Sequence, residues 1–102
     1  MAMMEISVVP LGTGKTGLSA YVALLKKALD EAGVPHALND MGTTIEGDAA
    51  SLFDLAKKLH EVPFTAGAGR VYTVIKIDDR RDKTVKLGDK VRSVMEKVNG
   101  LK

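Results

Sequence analysis

The feature that most constrains this chain is the order in which its hydrophobic period changes. A period of two is followed by one near 3.6, then two short period-two runs, then 3.6, then two again. Met4 to Pro10 alternates, with Met4, Ile6 and Val8 on one face and Glu5, Ser7 and Val9 on the other, and Pro10 predicts its end. After a glycine-bearing loop from Leu11 to Gly17, Leu18, Tyr21, Val22, Leu25 and Leu29 recur at helical spacing, predicting a helix from about Leu18 to Ala32. Gly33 and Pro35 stop it.

His36 to Asn39 and Thr43 to Glu46 read as two short strands around a turn at Asp40-Met41-Gly42. Asp48 is a good N-cap for a second helix, whose stripe is Leu52, Leu55, Ala56 and Leu59 and whose end falls near His60 to Pro63. Phe64 to Gly69 is a loop of mostly small residues. Arg70 to Asp78 is a strand with Val71, Thr73, Ile75 and Ile77 on one face and Tyr72, Val74 and Lys76 on the other. A last helix is predicted from about Val85 to Asn99, with Leu87, Val91, Val94 and Val98 as a seam that packs on the domain's own helices or on a neighbouring subunit.

Strand, helix, strand, strand, helix, strand is the order of a ferredoxin-like α+β sandwich. The expected architecture is a βαββαβ unit with an antiparallel four-stranded sheet, helices on one face and an added C-terminal helix. At 102 residues the whole chain, 1–102, is one domain. The uncovered sheet face, carrying Val9, Tyr72 and Val74, would leave apolar surface in water, and pairing of sheets between two copies is the simplest remedy.

Composition narrows the chemistry. There is no Cys, so a disulfide scaffold, a thiolate metal site and a cysteine nucleophile are excluded. Fifteen Lys and Arg against 13 Asp and Glu leave a net charge of +2, too small to imply nucleic acid or an anionic membrane as the main partner. The aromatics are too few for a base-stacking platform. No apolar run reaches a membrane span, no signal segment is visible, and a cytoplasmic location is expected.

Gly12-Thr13-Gly14-Lys15-Thr16 sits between strand and helix, where a phosphate-binding loop would sit. The leading glycine of that motif is replaced by Val9, so nucleotide hydrolysis is not supported. A simpler alternative is an anion held by Gly14, Lys15 and Thr16 at the helix N-terminus; the plain reading is a glycine turn with a solvated lysine. His60-Glu61 starts like a zinc-protease motif, but Phe64 stands where its second histidine belongs, and His60 reads as a residue near a helix end meeting exposed carbonyls. Asp78, Asp79 and Asp82 among Arg80, Arg81 and Lys83 read as a solvated, salt-bridged turn rather than a carboxylate site. No nucleophile–base pair or complete cofactor motif is present, so no enzymatic activity and no required cofactor are expected.

Met41-Gly42-Thr43-Thr44-Ile45-Glu46-Gly47 places two hydroxyls and a carboxylate beside glycines at a hairpin. Such groups can bond an amino-bearing ring. Strand propensity accounts for them as well, and on spacing alone the plainer explanation wins.

Taken with Ser7-Val8-Val9-Pro10-Leu11-Gly12-Thr13-Gly14, Ser19-Ala20-Tyr21-Val22-Ala23, His60-Glu61 and Arg70-Val71-Tyr72-Thr73-Val74-Ile75-Lys76-Ile77-Asp78-Asp79-Arg80, that segment resembles the thiamine-binding protein family from about Met4 to Val98. The resemblance implies a ferredoxin-like fold, a sheet-to-sheet dimer commonly assembled into a tetramer, and a non-enzymatic site for thiamine or its hydroxymethylpyrimidine part near the subunit contact. Carried onto this chain, the ligand-binding positions are Ser7, Val9, Met41, Gly42, Thr43, Thr44 and Glu46. Thr43 and Thr44 would bond the pyrimidine edge, Met41 would pack on a ring, and Ser7 would add a polar contact. Glu46 would pair with the amino group, offset the thiazolium charge or serve the sheet edge. Two alternatives stand beside this: an anion-binding oligomer built on the Gly14-Lys15-Thr16 loop, and a structural or interaction module with no ligand.

Overall fold

A computed structural model describes residues 1–101. Its elements are β1 (Ala2–Leu11), α1 (Ser19–Ala32), β2 (His36–Asn39), β3 (Gly42–Gly47), α2 (Ala49–Thr65), β4 (Arg70–Asp79) and α3 (Asp89–Gly100). The sheet order is β2-β3-β1-β4, with every neighbouring pair antiparallel. This is the α+β, ferredoxin-like arrangement that the element order predicts.

The alternation in β1 sets the core. Ala2, Met4, Ile6 and Val8 point to the helix-covered face, where Leu29 of α1 and Leu52, Leu55, Ala56 and Leu59 of α2 pack with Ile45 of β3. Met4, Leu29, Ile45, Leu52 and Leu59 are fully buried, each worth roughly 1.5–3 kcal/mol of transfer free energy. The ends of α1 and α2 have local causes. Gly33 takes φ 68° and donates to the Leu29 and Asp30 carbonyls, closing α1. The Asp48 carboxylate accepts the Ser51 N–H at 3.1 Å, starting α2.

Three boundaries differ from the sequence reading. Pro10 does not end β1, which pairs with β4 as far as Leu11↔Arg70. Pro63 does not end α2 either: it is buried in the last turn and the helix runs on to Thr65, so Phe64 and Thr65 are helical rather than loop. The third is the last helix, which begins at Asp89 and not near Val85. Gly88 adopts φ 88° just before it, and a turn closes there, with the Asp89 carboxylate accepting the Lys86 N–H at 2.8 Å. Val85 and Leu87 therefore precede the helix, and Leu87 is not part of its seam.

α3 also corrects one of the two packing options. None of its residues is buried, and Val91, Val94 and Val98 are exposed, so the seam does not pack on the domain's own helices. The outer sheet face is open as well, with Tyr72 60% and Val74 39% exposed.

Candidate functional site

β1 is ten residues long and β3 only six. β4 accompanies β1 along its whole length, but β3 leaves it after Ile6↔Thr43. From Ser7 onward the β3-side edge of β1 is therefore bare, and a cleft of about 410 Å³ opens along it. Ile6, Ser7, Val8 and Val9 form one wall, Leu38 to Thr43 of the hairpin the second, and Leu18, Ser19, Val22 and Leu25 of α1 the third. Consecutive β1 residues alternate between faces, so their joint presence means the cleft wraps around the strand edge. The walls are largely aliphatic, with a few polar groups from Ser7, Asn39, Asp40 and Thr43.

The structure brings Ser7, Val9, Met41, Gly42 and Thr43 to this cleft. Thr43 pairs with Ile6 and shares its helix-side face, whereas Thr44 pairs with Glu5 on the opposite face. The Thr44 hydroxyl accepts from the Asn39 amide at 3.3 Å. Glu46 lines a separate recess of about 270 Å³ with Val34, Ser51 and Lys58. Thr44 and Glu46 are thus not gathered with the other five. Sequence reasoning missed the α1 wall and Leu38, Asn39 and Asp40. The available signal was the mismatch between a long first strand and a short third one.

The hairpin is held at its base by a polar chain. His36 Nδ1 donates to the Val34 carbonyl at 2.8 Å, which leaves Nε2 to accept from Lys26 Nζ at 2.9 Å. Lys26 also pairs with Asp30 at 2.7 Å, and that hydrogen bond holds the Asp30 carboxyl below its usual range.

The other candidates lie elsewhere. Lys15 lines a recess of about 310 Å³ with Thr13, Gly17 and Tyr21, while Gly14 and Thr16 do not reach it. The Lys15 N–H already donates to the Thr13 hydroxyl at 3.3 Å. His60 does not meet helix-end carbonyls: its Nδ1 lies 2.7 Å from the Thr73 hydroxyl and its ring packs edge-on against Phe64. Arg80 grips Asp82 through two bonds of 2.6 and 2.9 Å, and Arg81 pairs with Asp79 at 2.8 Å, a solvated salt-bridged turn. Among the described residues no three His, Asp or Glu converge as a metal site would need. No helix among them is long and apolar enough to cross a membrane.

Comparison with known proteins places this architecture. A UPF0045 protein of Methanothermobacter thermautotrophicus is 46% identical over 99 residues, covering 96% of this chain and 100% of that one. The structure of a hypothetical protein from Methanocaldococcus jannaschii superposes with a TM-score of 0.81 at 29% identity, covering 93% of this chain and 96% of that one. A Thermotoga maritima protein proposed for thiamine biosynthesis or salvage shares the fold, with TM-score 0.75 and 20% identity over 91% of this chain and 97% of that one. The family model described as thiamine-binding protein matches residues 4–95, a span that takes in the sheet from Met4 onward, both covering helices and every wall of the cleft, and the chain belongs to that family.

Proposed function

We propose that this protein is a non-enzymatic binder of thiamine or a related pyrimidine, and that the cleft between the bare edge of β1, the β2–β3 hairpin and α1 is where the ligand sits. The observation that carries this is the cleft itself, which gathers Ser7, Val9, Met41, Gly42 and Thr43 in about 410 Å³, within the ~300–1,000 Å³ of typical small-molecule pockets. Membership of a thiamine-binding family supports the ligand class. Met41, 87% exposed at the hairpin tip, is free to close on a ring. The Thr43 hydroxyl and the Ser7 side chain supply polar contacts from opposite faces of the strand edge.

A homo-oligomer belongs to the same proposal. Tyr72, Val74 and half-buried Val9 form an apolar stretch on the outer sheet face, which a second copy would cover. Val9 lies on both that face and the cleft wall, so ligand and partner copy would meet at one strand.

Isothermal titration with thiamine, with mass determination of the same sample, tests this. Saturable binding at one ligand per subunit or per dimer is expected. No heat from thiamine, its phosphates or hydroxymethylpyrimidine, on a folded oligomer, would overturn it.

A further inference from the structure

The main chain of β1 carries a recognition element that no side chain reveals. A Cβ built on Gly42 would lie 3.2 Å from the Ile6 carbonyl oxygen, so that oxygen points toward β3. Along a strand, alternate residues send their N–H and C=O to the same side. Ile6, Val8 and Pro10 therefore face the β3 side, and Ser7 and Val9 face β4. Ile6 is the last residue of β1 that β3 pairs. The N–H and C=O of Val8 are the next groups along, and they open into the cleft that Val8 lines. Val8 is only 7% exposed. A backbone donor left unpaired in such a recess costs free energy comparable to a lost hydrogen bond, so an occupant that pairs it is favoured.

Pro10 decides what kind of occupant. A peptide strand added to this edge would need a donor at position 10, two residues beyond Val8, and proline has none. The hairpin and α1 also wall the edge in. One donor and its neighbouring acceptor remain, enough for one edge of a flat ring.

We infer that the Val8 N–H and C=O form the polar recognition element of the cleft, taking a planar ligand edge in which a hydrogen-bond acceptor adjoins a donor. This rests on the cleft being a small-molecule site. In an aminopyrimidine the ring nitrogen accepts from the Val8 N–H and the exocyclic amino group donates to the Val8 C=O. Recognition then survives loss of any single side-chain hydroxyl, because the central pair is main chain.

Amide hydrogen exchange, resolved residue by residue by NMR on the intact protein, tests it. In the free protein the Val8 amide is expected to exchange much faster than that of Ile6, which β3 pairs. At a thiamine concentration about 100 times its Kd, Val8 exchange should slow about 100-fold, since exchange then awaits ligand release. Equal protection of Val8 and Ile6 in the free protein would overturn the inference. So would thiamine binding, seen by calorimetry, that leaves Val8 exchange unchanged. If thiamine gives no heat, the thiamine reading fails on its own; the edge is then judged with hydroxymethylpyrimidine and 4-aminopyrimidine, and failure of both to slow Val8 overturns the inference too.

Discussion

Gly42 lies against the main chain of Ile6, so that any Cβ at position 42 would sit 3.2 Å from the Ile6 carbonyl oxygen and 3.3 Å from Glu5 Cγ. The Glu5 side chain can swing away, but the carbonyl is fixed by the sheet. Gly42→Val should push the hairpin off β1 and spread the cleft wall. The expected cost is about 1–3 kcal/mol, the range for overpacking a close contact, read from the denaturant midpoint at unchanged slope. Thiamine affinity should fall with it. An unchanged midpoint would show that the hairpin yields without strain.

The two neighbouring threonines separate cleft from face. Thr43 lines the cleft, while Thr44 lies on the other side of the sheet and bonds Asn39. Thr43→Val keeps the strand-favouring shape and removes only the hydroxyl. Losing one such bond is worth about 0.5–1.5 kcal/mol, so thiamine should bind about 2- to 13-fold more weakly. Thr44→Val, whose hydroxyl touches the cleft only through Asn39, should weaken binding less than Thr43→Val does. Titration calorimetry on both variants checks this, and a larger loss for Thr44→Val would move the site to the outer face.

Much of this was legible in the chain. The period changes placed all four strands, α1 and α2, because each amphipathic face is a local record of what it packs on. The mistaken boundaries share one cause, the reading of proline and glycine out of context. Pro10 is harmless in β1 because its missing N–H lies on the side with no partner strand. Pro63 lies in the last turn of α2, where burial of its ring offsets part of the hydrogen bond its missing N–H forgoes. Gly88, unremarked in the sequence, holds the left-handed conformation that starts α3. For the site, the hairpin segment is visible in the sequence, and so is its two-sidedness. A strand alternates faces, so Thr43 and Thr44 could not both reach one ring from one side. The α1 wall was hidden because Leu18, Val22 and Leu25 read as ordinary core positions.

Acid should weaken the helix start at Asp48. Its carboxylate accepts from the Ser51 hydroxyl and N–H, and these bonds hold its pKa below the ordinary 3.8. A group depressed in the folded state stabilises above its unfolded pKa, and that contribution is lost as pH falls through the folded value. Asp48→Asn keeps a capping oxygen but cannot titrate. Stability measured by denaturant between about pH 6 and pH 2 should fall less steeply for the variant than for the wild type. Asp79 and Asp82, held down by Arg81 and Arg80, add to the acid slope in both proteins. Identical acid limbs would mean that the cap is not formed in solution.

The exposed apolar surfaces test the assembly. Val91, Val94 and Val98 of α3 are 67%, 59% and 42% exposed, and the helix buries nothing within its own chain. Their spacing of three and four residues makes one stripe. A stripe that packs on a second copy contributes to the assembly and little to the domain core. Val91→Asp combined with Val98→Asp should therefore lower the assembled mass seen by sedimentation while leaving far-ultraviolet circular dichroism unchanged. Val74→Glu, on the outer sheet face, probes the other candidate contact separately. If only Val74→Glu dissociates the oligomer, the sheet face is the interface and the helix stripe is idle. If only the helix variant does, α3 holds the copies together and the open sheet face is left to water or to the ligand. Loss of mass with both would mean that sheet and helix form two contacts, as a tetramer built as a dimer of dimers requires.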